Sequence, residues 1–219
     1  KHQYLTCDNR SQADLLFASM KAHDLPCMAD VDSSLLFFCR EVSKQHKVVL
    51  TGECADEVFG GYPWFHRDAM LQSTTFPWTM DISFRKSLLH PEFAASMQME
   101  KYIARAYRTT LSEVDILPEE SPLDTKKRQI AYLNIRWFMQ TLLDRMDRTS
   151  MYSGLEARVP FADHRIIEYV FNVPWEMKYQ NGVEKALLRD AFRDLLPPEL
   201  LHRKKSPYPK TYHPGYEKI

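Results

Sequence analysis

Where glycine falls is the tightest constraint on this chain. Only six glycines occur in 219 residues, against roughly 15 at an average usage of about 7%. Three of them, Gly52, Gly60 and Gly61, crowd into one ten-residue window. That window follows Val48-Val49-Leu50, a short apolar run that reads as a buried parallel strand whose C-terminal end opens into a loop. In open α/β sheets ligands bind beyond such strand ends, and glycine there lets backbone approach a ligand closely. Neither GxGxxG nor GxxxxGK[ST] can be assembled from the six positions, so the two familiar nucleotide loops are excluded.

Around that strand the pattern predicts an α/β crossover fragment. His2 to Cys7 reads as a short strand, Ser11 with Asp14 as a capping signal ahead of Leu15, Ala18 and Ala22, and Pro26 as the stop. Asp30-Val31-Asp32-Ser33-Ser34 reads as an acidic loop, followed by a helix carrying Leu35, Leu36, Cys39 and Val42. Beyond Pro63 strand signals fade and helices dominate. Helices are expected from about Glu92 to Tyr107, over Lys126 to Tyr152 with Gly154 as terminator, after an Asp163 cap, and over Glu184 to Leu195. The expected division is therefore 1–62, an α/β part, and 63–219, a mainly helical part. The Pro207, Pro209 and Pro214 tail with Lys204, Lys205 and Lys210 reads as a surface extension.

Composition removes several function classes. Lys+Arg 29 balances Asp+Glu 29, so no basic field for nucleic acid is expected, and no apolar run approaches the roughly 20 residues of a membrane span. Cys7, Cys27, Cys39 and Cys54 lack the CxxC spacing of a zinc site and suit a reducing, cytoplasmic setting. The chain starts Lys1-His2-Gln3 without a secretory pattern.

The glycine window also holds Glu53, Asp56 and Glu57. Three carboxylates at a strand end suit a hard cation such as magnesium; an acidic first turn offsetting a helix dipole explains them equally. Lys185 reads either as a solvated lysine or as an anion-binding group in the first turn of an amphipathic helix. Arg145, Asp147, Arg148, Glu156 and Arg158 form a second charged set, suited to pairing helices or to orienting a substrate. Asp30, Asp32, Ser33 and Ser34 either cap a helix or line a substrate.

Val48 to Tyr62, read as VVLTGECADEVFGGY, resembles the second signature of the asparagine synthetase family, in the synthetase domain of the glutamine-hydrolysing enzymes. Asp147-Arg148-Thr149-Ser150-Met151, Gly154 to Asp163, Glu184 to Arg189 and Arg203 to Lys210 are similar to further blocks in the family's order. The resemblance implies an adenine-nucleotide alpha hydrolase-like parallel sheet, present here as a fragment. It implies ATP-dependent amidation of aspartate through β-aspartyl-AMP, with ammonia coming from glutamine through a separate glutaminase domain. On the same ground Thr51 and Gly52 would touch AMP and Glu53 would support adenylate formation. Asp56 would help hold magnesium, and Lys185 would contact the departing phosphates.

The sequence departs from the family in two ways. No Ser-Gly-Gly-x-Asp-Ser pyrophosphate loop is present, since the one Gly-Gly is Gly60-Gly61, and there is no room for a glutaminase domain. The expectation is a truncated synthetase domain, inactive alone, with an exposed sheet edge that favours self-association into a homo-oligomer. β-Lactam synthetases and lasso-peptide cyclases resemble the same domain and are the alternative amide-forming readings. A helical interaction module without catalysis is the alternative from another class.

Overall fold

The computed structural model describes residues 2–26 and 28–205, Ala29 and Asp30 by their backbone alone. Cys27, the side chain of Asp30 and the tail from Ser206 lie outside the described residues. The described chain divides into two compact units, one holding the described residues up to Glu53, Thr141–Phe161 and 204–205, the other Cys54–Gln140 and Ala162–Arg203.

In the first unit, helices Asn9–Asp14, Leu16–His23 and Ala29–Ser43 lead to strand β1, Val48–Leu50. Leu36 is fully buried and Ala22 and Cys39 nearly so, because the Leu16–His23 and Ala29–Ser43 helices pack through their apolar faces. β1 pairs in parallel with β2, Glu156–Arg158, Val49 lying opposite Ala157. The parallel strand is as the sequence predicts, but its burial is not. Val48 is 42% and Leu50 69% exposed, since alternate residues of a strand share a face and that face of the two-stranded sheet is left open among the described residues.

Three local expectations are corrected in this unit. Residues 2–7 form no strand, and Tyr4 is almost fully exposed; a strand without a ladder partner is not stable in water. The first helix is capped by Asp8, whose carboxylate accepts the Ser11 N–H at 2.7 Å, rather than by Ser11. The acidic loop belongs to the Ala29–Ser43 helix, with Asp32, Ser33 and Ser34 buried.

The second unit is largely helical. Ser121 caps helix Pro122–Leu133 by accepting the Asp124 N–H, and the helical backbone continues as a π segment over Asn134–Met139. Its inward residues Ile130 and Ala131 join Trp64, Phe65 and Leu71 in one core, while Leu133 packs with Phe76 and Tyr107 in a second. The helix read over Glu92 to Tyr107 is two, Pro91–Met97 and Met99–Ser112, separated by Gln98 in the left-handed region. Asp163 caps His164–Phe171 as expected, accepting from Arg165 N–H at 2.9 Å.

The helix read over Glu184 to Leu195 is corrected most. Tyr179–Gln180 (β3) and Val183–Glu184 (β4) form an antiparallel hairpin around Asn181 and Gly182, both at positive φ, the pair that a tight hairpin turn favours. Within the range 184–195 only Ala186–Ala191 is helical, and Leu195 is 74% exposed.

Lys178, just before the hairpin, is buried and donates to the Phe171 carbonyl at 3.4 Å. Burial first, then the Arg128 charge, brings its ammonium down to about 8 from 10.5. A depressed folded-state value means the unfolded chain binds the extra proton between pH 8 and 10.5, so this group's contribution to stability rises with pH across that window. Lys178→Met is therefore expected to raise the melting temperature at pH 7, with the gain shrinking toward pH 10; denaturation scans across that range check it.

Candidate active site

The first unit carries Thr51, Gly52 and Glu53 directly after β1. The Thr51 N–H donates to the Arg158 carbonyl at 2.9 Å, so the strand ladder holds the backbone up to the residue where chemistry is expected. Gly52 is exposed, and a Cβ built on it would meet nothing within 4 Å. Glu53 is fixed by Arg145, whose Nη2 donates to its Oε1 at 2.8 Å. Arg145 Nε lies 3.9 Å from Asp32 Oδ1. The Asp32 side chain is 4% exposed and those of Glu53 and Arg145 are 18% and 21%, so this is a largely desolvated cluster. Its charge reaches Cys39, whose thiol is pushed up to about 11 by burial and then by Glu53.

The second unit carries Asp56 and Lys185. Lys185 Nζ lies 2.9 Å from Asp56 Oδ1, with both side chains about four-fifths buried. Lys185 is not in the first turn of a helix. It sits at φ +55° between β4 and a six-residue helix, and that backbone is held by Arg189, whose N–H donates to the Lys185 carbonyl at 3.0 Å and whose Nε donates to the Glu184 carbonyl at 2.9 Å.

Asp56 is held from its own helix, Ala55–Phe59. A Cβ on Gly61 would fall 1.9 Å from Asp56 Oδ1, and one on Gly60, at φ +74°, 2.8 Å from the Trp175 ring. Gly61 is therefore required by the Asp56 carboxylate, and Gly60 by the Trp175 ring and its own positive φ. The Gly60 carbonyl also accepts from His66 Nε2 at 2.8 Å, and His66 stacks on Tyr179 of β3 at 3.9 Å. His66 thereby joins the Asp56 turn to the hairpin that presents Lys185. Glu57 is buried, takes the Tyr62 hydroxyl at 2.5 Å, and its carbonyl accepts from Asn134 Nδ2 at 3.3 Å.

A family model described as asparagine synthase matches residues 1–218. The chain belongs to the asparagine synthase family. It is 49% identical to asparagine synthetase [glutamine-hydrolyzing] 3 of Bacillus subtilis (strain 168) over 217 residues, which cover 99% of this chain and 35% of that protein. Asparagine synthetase [glutamine-hydrolyzing] 1 of the same organism is 29% identical over 83% of the chain and 34% of its own length. The Homo sapiens asparagine synthetase [glutamine-hydrolyzing] is 49% identical over a shorter stretch of 67 residues, 29% of the chain and 12% of that protein. The chain thus spans about a third of the length of its two Bacillus relatives.

Among the asparagine synthase blocks, the charged set divides by role. Arg148 donates to Asp144 at 2.9 Å, to Asp24 at 3.1 Å and to the His23 carbonyl at 3.3 Å, so it closes the C-terminal end of the Leu16–His23 helix. Thr149 is buried against His23 at 3.0 Å. Arg158 pairs with Glu156 on β2, and Asp147 is exposed. Arg145 is the member of this set whose side chain reaches a carboxylate of the signature, and the 3.6-residue spacing that places it four residues from Thr149 gives no sign of that partner. His66, Asn134 and Arg189 carry no sequence signal of their roles either. No group of three His, Cys, Asp or Glu able to hold a metal ion occurs among the described residues, and no helix among them is long and apolar enough to cross a membrane.

Proposed function

We propose that the native polypeptide carrying this chain uses ATP to convert aspartate to asparagine, with ammonia drawn from glutamine. The observation that supports it most is the meeting of Lys185 with Asp56 at 2.9 Å, two residues far apart in sequence that fall in separate family blocks. The names of the relatives favour aspartate over the acids of other amide-forming synthetases.

A carboxylate is a poor electrophile, because its charge repels a nucleophile and it offers no leaving group. Attack of the aspartate β-carboxylate oxygen on the α-phosphorus of ATP, with release of pyrophosphate, supplies both. Ammonia then adds to the acyl carbon, loses a proton, and expels AMP. Negative charge grows on the departing pyrophosphate, and the Lys185 ammonium is the group we assign to it; such a preplaced charge is worth about 10² to 10³ in rate. Asp56 offers a hard carboxylate oxygen, one of the one or two that magnesium takes alongside phosphate oxygens and water. Magnesium held there would add charge neutralisation on the phosphates. Thr51 and Gly52 are assigned to AMP, and Glu53 to formation of the adenylate.

The experiment is pyrophosphate release from ATP by the native polypeptide, with ammonia and a panel of carboxylic acids. Release that depends on aspartate is expected; no release, or release with another acid alone, contradicts the assignment.

Gly52 gives a sharper test of the AMP assignment. Its backbone lies outside the left-handed region and its Cβ direction is open, so nothing in the protein requires glycine. Gly52→Ala is expected to leave folding stability unchanged or raise it by about 0.4–1 kcal/mol, while raising the KM for ATP about tenfold. Unchanged KM together with unchanged stability speaks against a nucleotide at this backbone.

A further inference from the structure

We infer that Asp32 and Glu53 together hold the α-ammonium group of the amino-acid substrate. This rests on the reading that aspartate is the acid activated. Two carboxylates share one guanidinium in this cluster, and their hydrogen bonds leave a specific remainder. Asp32 Oδ2 accepts the Met28 N–H at 2.7 Å, but Asp32 Oδ1, buried in a side chain only 4% exposed, has no donor within hydrogen-bond reach among the described residues. Its nearest cation, Arg145 Nε, stands off at 3.9 Å. Glu53 Oε1 is taken by Arg145, and Glu53 Oε2 has no hydrogen-bond donor among the described residues.

Buried carboxylate oxygens are costly to leave without donors, and the cluster carries one negative charge in excess. A primary ammonium fits both conditions, with one positive charge and three N–H donors. A divalent cation fits less well, since Arg145 already occupies part of the coordination space and no third ligand of the right kind is at hand among the described residues. The guanidinium keeps the two carboxylates from repelling each other before substrate arrives. Asp32 thereby becomes a residue that selects for an amino acid over a plain dicarboxylic acid.

The test compares L-aspartate with succinate, which has both carboxylates and lacks the amino group, as acids in pyrophosphate release by the native polypeptide. Wild type is expected to favour aspartate by at least about 10² in kcat/KM, because a site built to accept N–H groups rejects the analogue that lacks them. Asp32→Asn, which keeps the shape and removes the charge, is expected to cut that ratio to below about tenfold with KM for ATP unchanged. A merely structural role would lower both acids together and leave the ratio alone, which overturns the inference. Should the variant fail to fold, wild type still decides, since equal use of succinate and aspartate overturns the inference without any variant. No release with aspartate in wild type removes the reading beneath it, a result distinct from release with aspartate at an unaltered ratio.

Discussion

Replacing Lys185 by glycine is expected to lower kcat about 10² to 10³-fold while leaving the fold at least as stable. The two effects come from separate features of one residue. Its ammonium lies 2.9 Å from Asp56 and, on the proposed mechanism, offsets charge on departing pyrophosphate. Its backbone sits at φ +55°, a conformation that costs a residue with a Cβ roughly 1–2 kcal/mol and costs glycine little. Relief of that strain offsets the cost of the lost ion pair, whose side chains are about four-fifths buried. Steady-state kinetics and a thermal melt on the same preparation read both effects. A melting temperature that drops by many degrees would mean that Lys185 holds the hairpin, and a kcat within threefold of wild type would remove it from the chemistry. Lys185→Met separates the terms further, because it keeps the strain and loses the charge.

Glu53→Gln should lower kcat/KM for aspartate by about 10²-fold with the KM for ATP within threefold. Glutamine keeps an oxygen to accept from Arg145, so the geometry survives and only the charge is lost. The same substitution has a spectroscopic companion. Glu53 is the second cause, after burial, of the raised Cys39 thiol, so the variant's Cys39 is expected to ionise at lower pH than wild type while remaining above an ordinary thiol. Following thiolate absorbance or alkylation of Cys39 against pH measures that shift. If kcat/KM falls and Cys39 does not move, the loss reflects rearrangement of the cluster rather than removal of a charge.

Several features were legible because local chemistry and tertiary structure agree on them. Val48-Val49-Leu50 followed by Thr51-Gly52 reads as strand then loop, and it is one; Asp163 and Gly154 mark helix ends where the backbone needs an oxygen acceptor or a positive φ. Glu156-Ala157-Arg158 has no strand character of its own, and it becomes β2 because β1 offers it a ladder. Asp32-Ser33-Ser34 reads as loop because it is polar, yet it is buried helix whose Asp32 already takes a backbone N–H. Polar composition reports what a residue needs, and here burial meets those needs.

The site divides the same way. Asp56, Glu53 and Lys185 stand out by type and block, but the pairing of Glu53 with Arg145 does not. Arg145 reaches Glu53 across 92 positions, and Gly61 is required by the Asp56 carboxylate rather than by a ligand. Asn181-Gly182 is a hairpin signal strong enough to displace the start of the helix read from Glu184, and it moves Lys185 out of the helix into its left-handed position.

Oxygen tracing tests the proposed chemistry most directly. Aspartate labelled with ¹⁸O in its β-carboxylate is supplied with ATP and ammonia to the native polypeptide, and the AMP is weighed by mass spectrometry. If the carboxylate attacks the α-phosphorus and AMP later leaves with the bridging oxygen, each AMP carries one ¹⁸O. AMP without label, or label found in inorganic phosphate beside ADP, contradicts adenylation of aspartate.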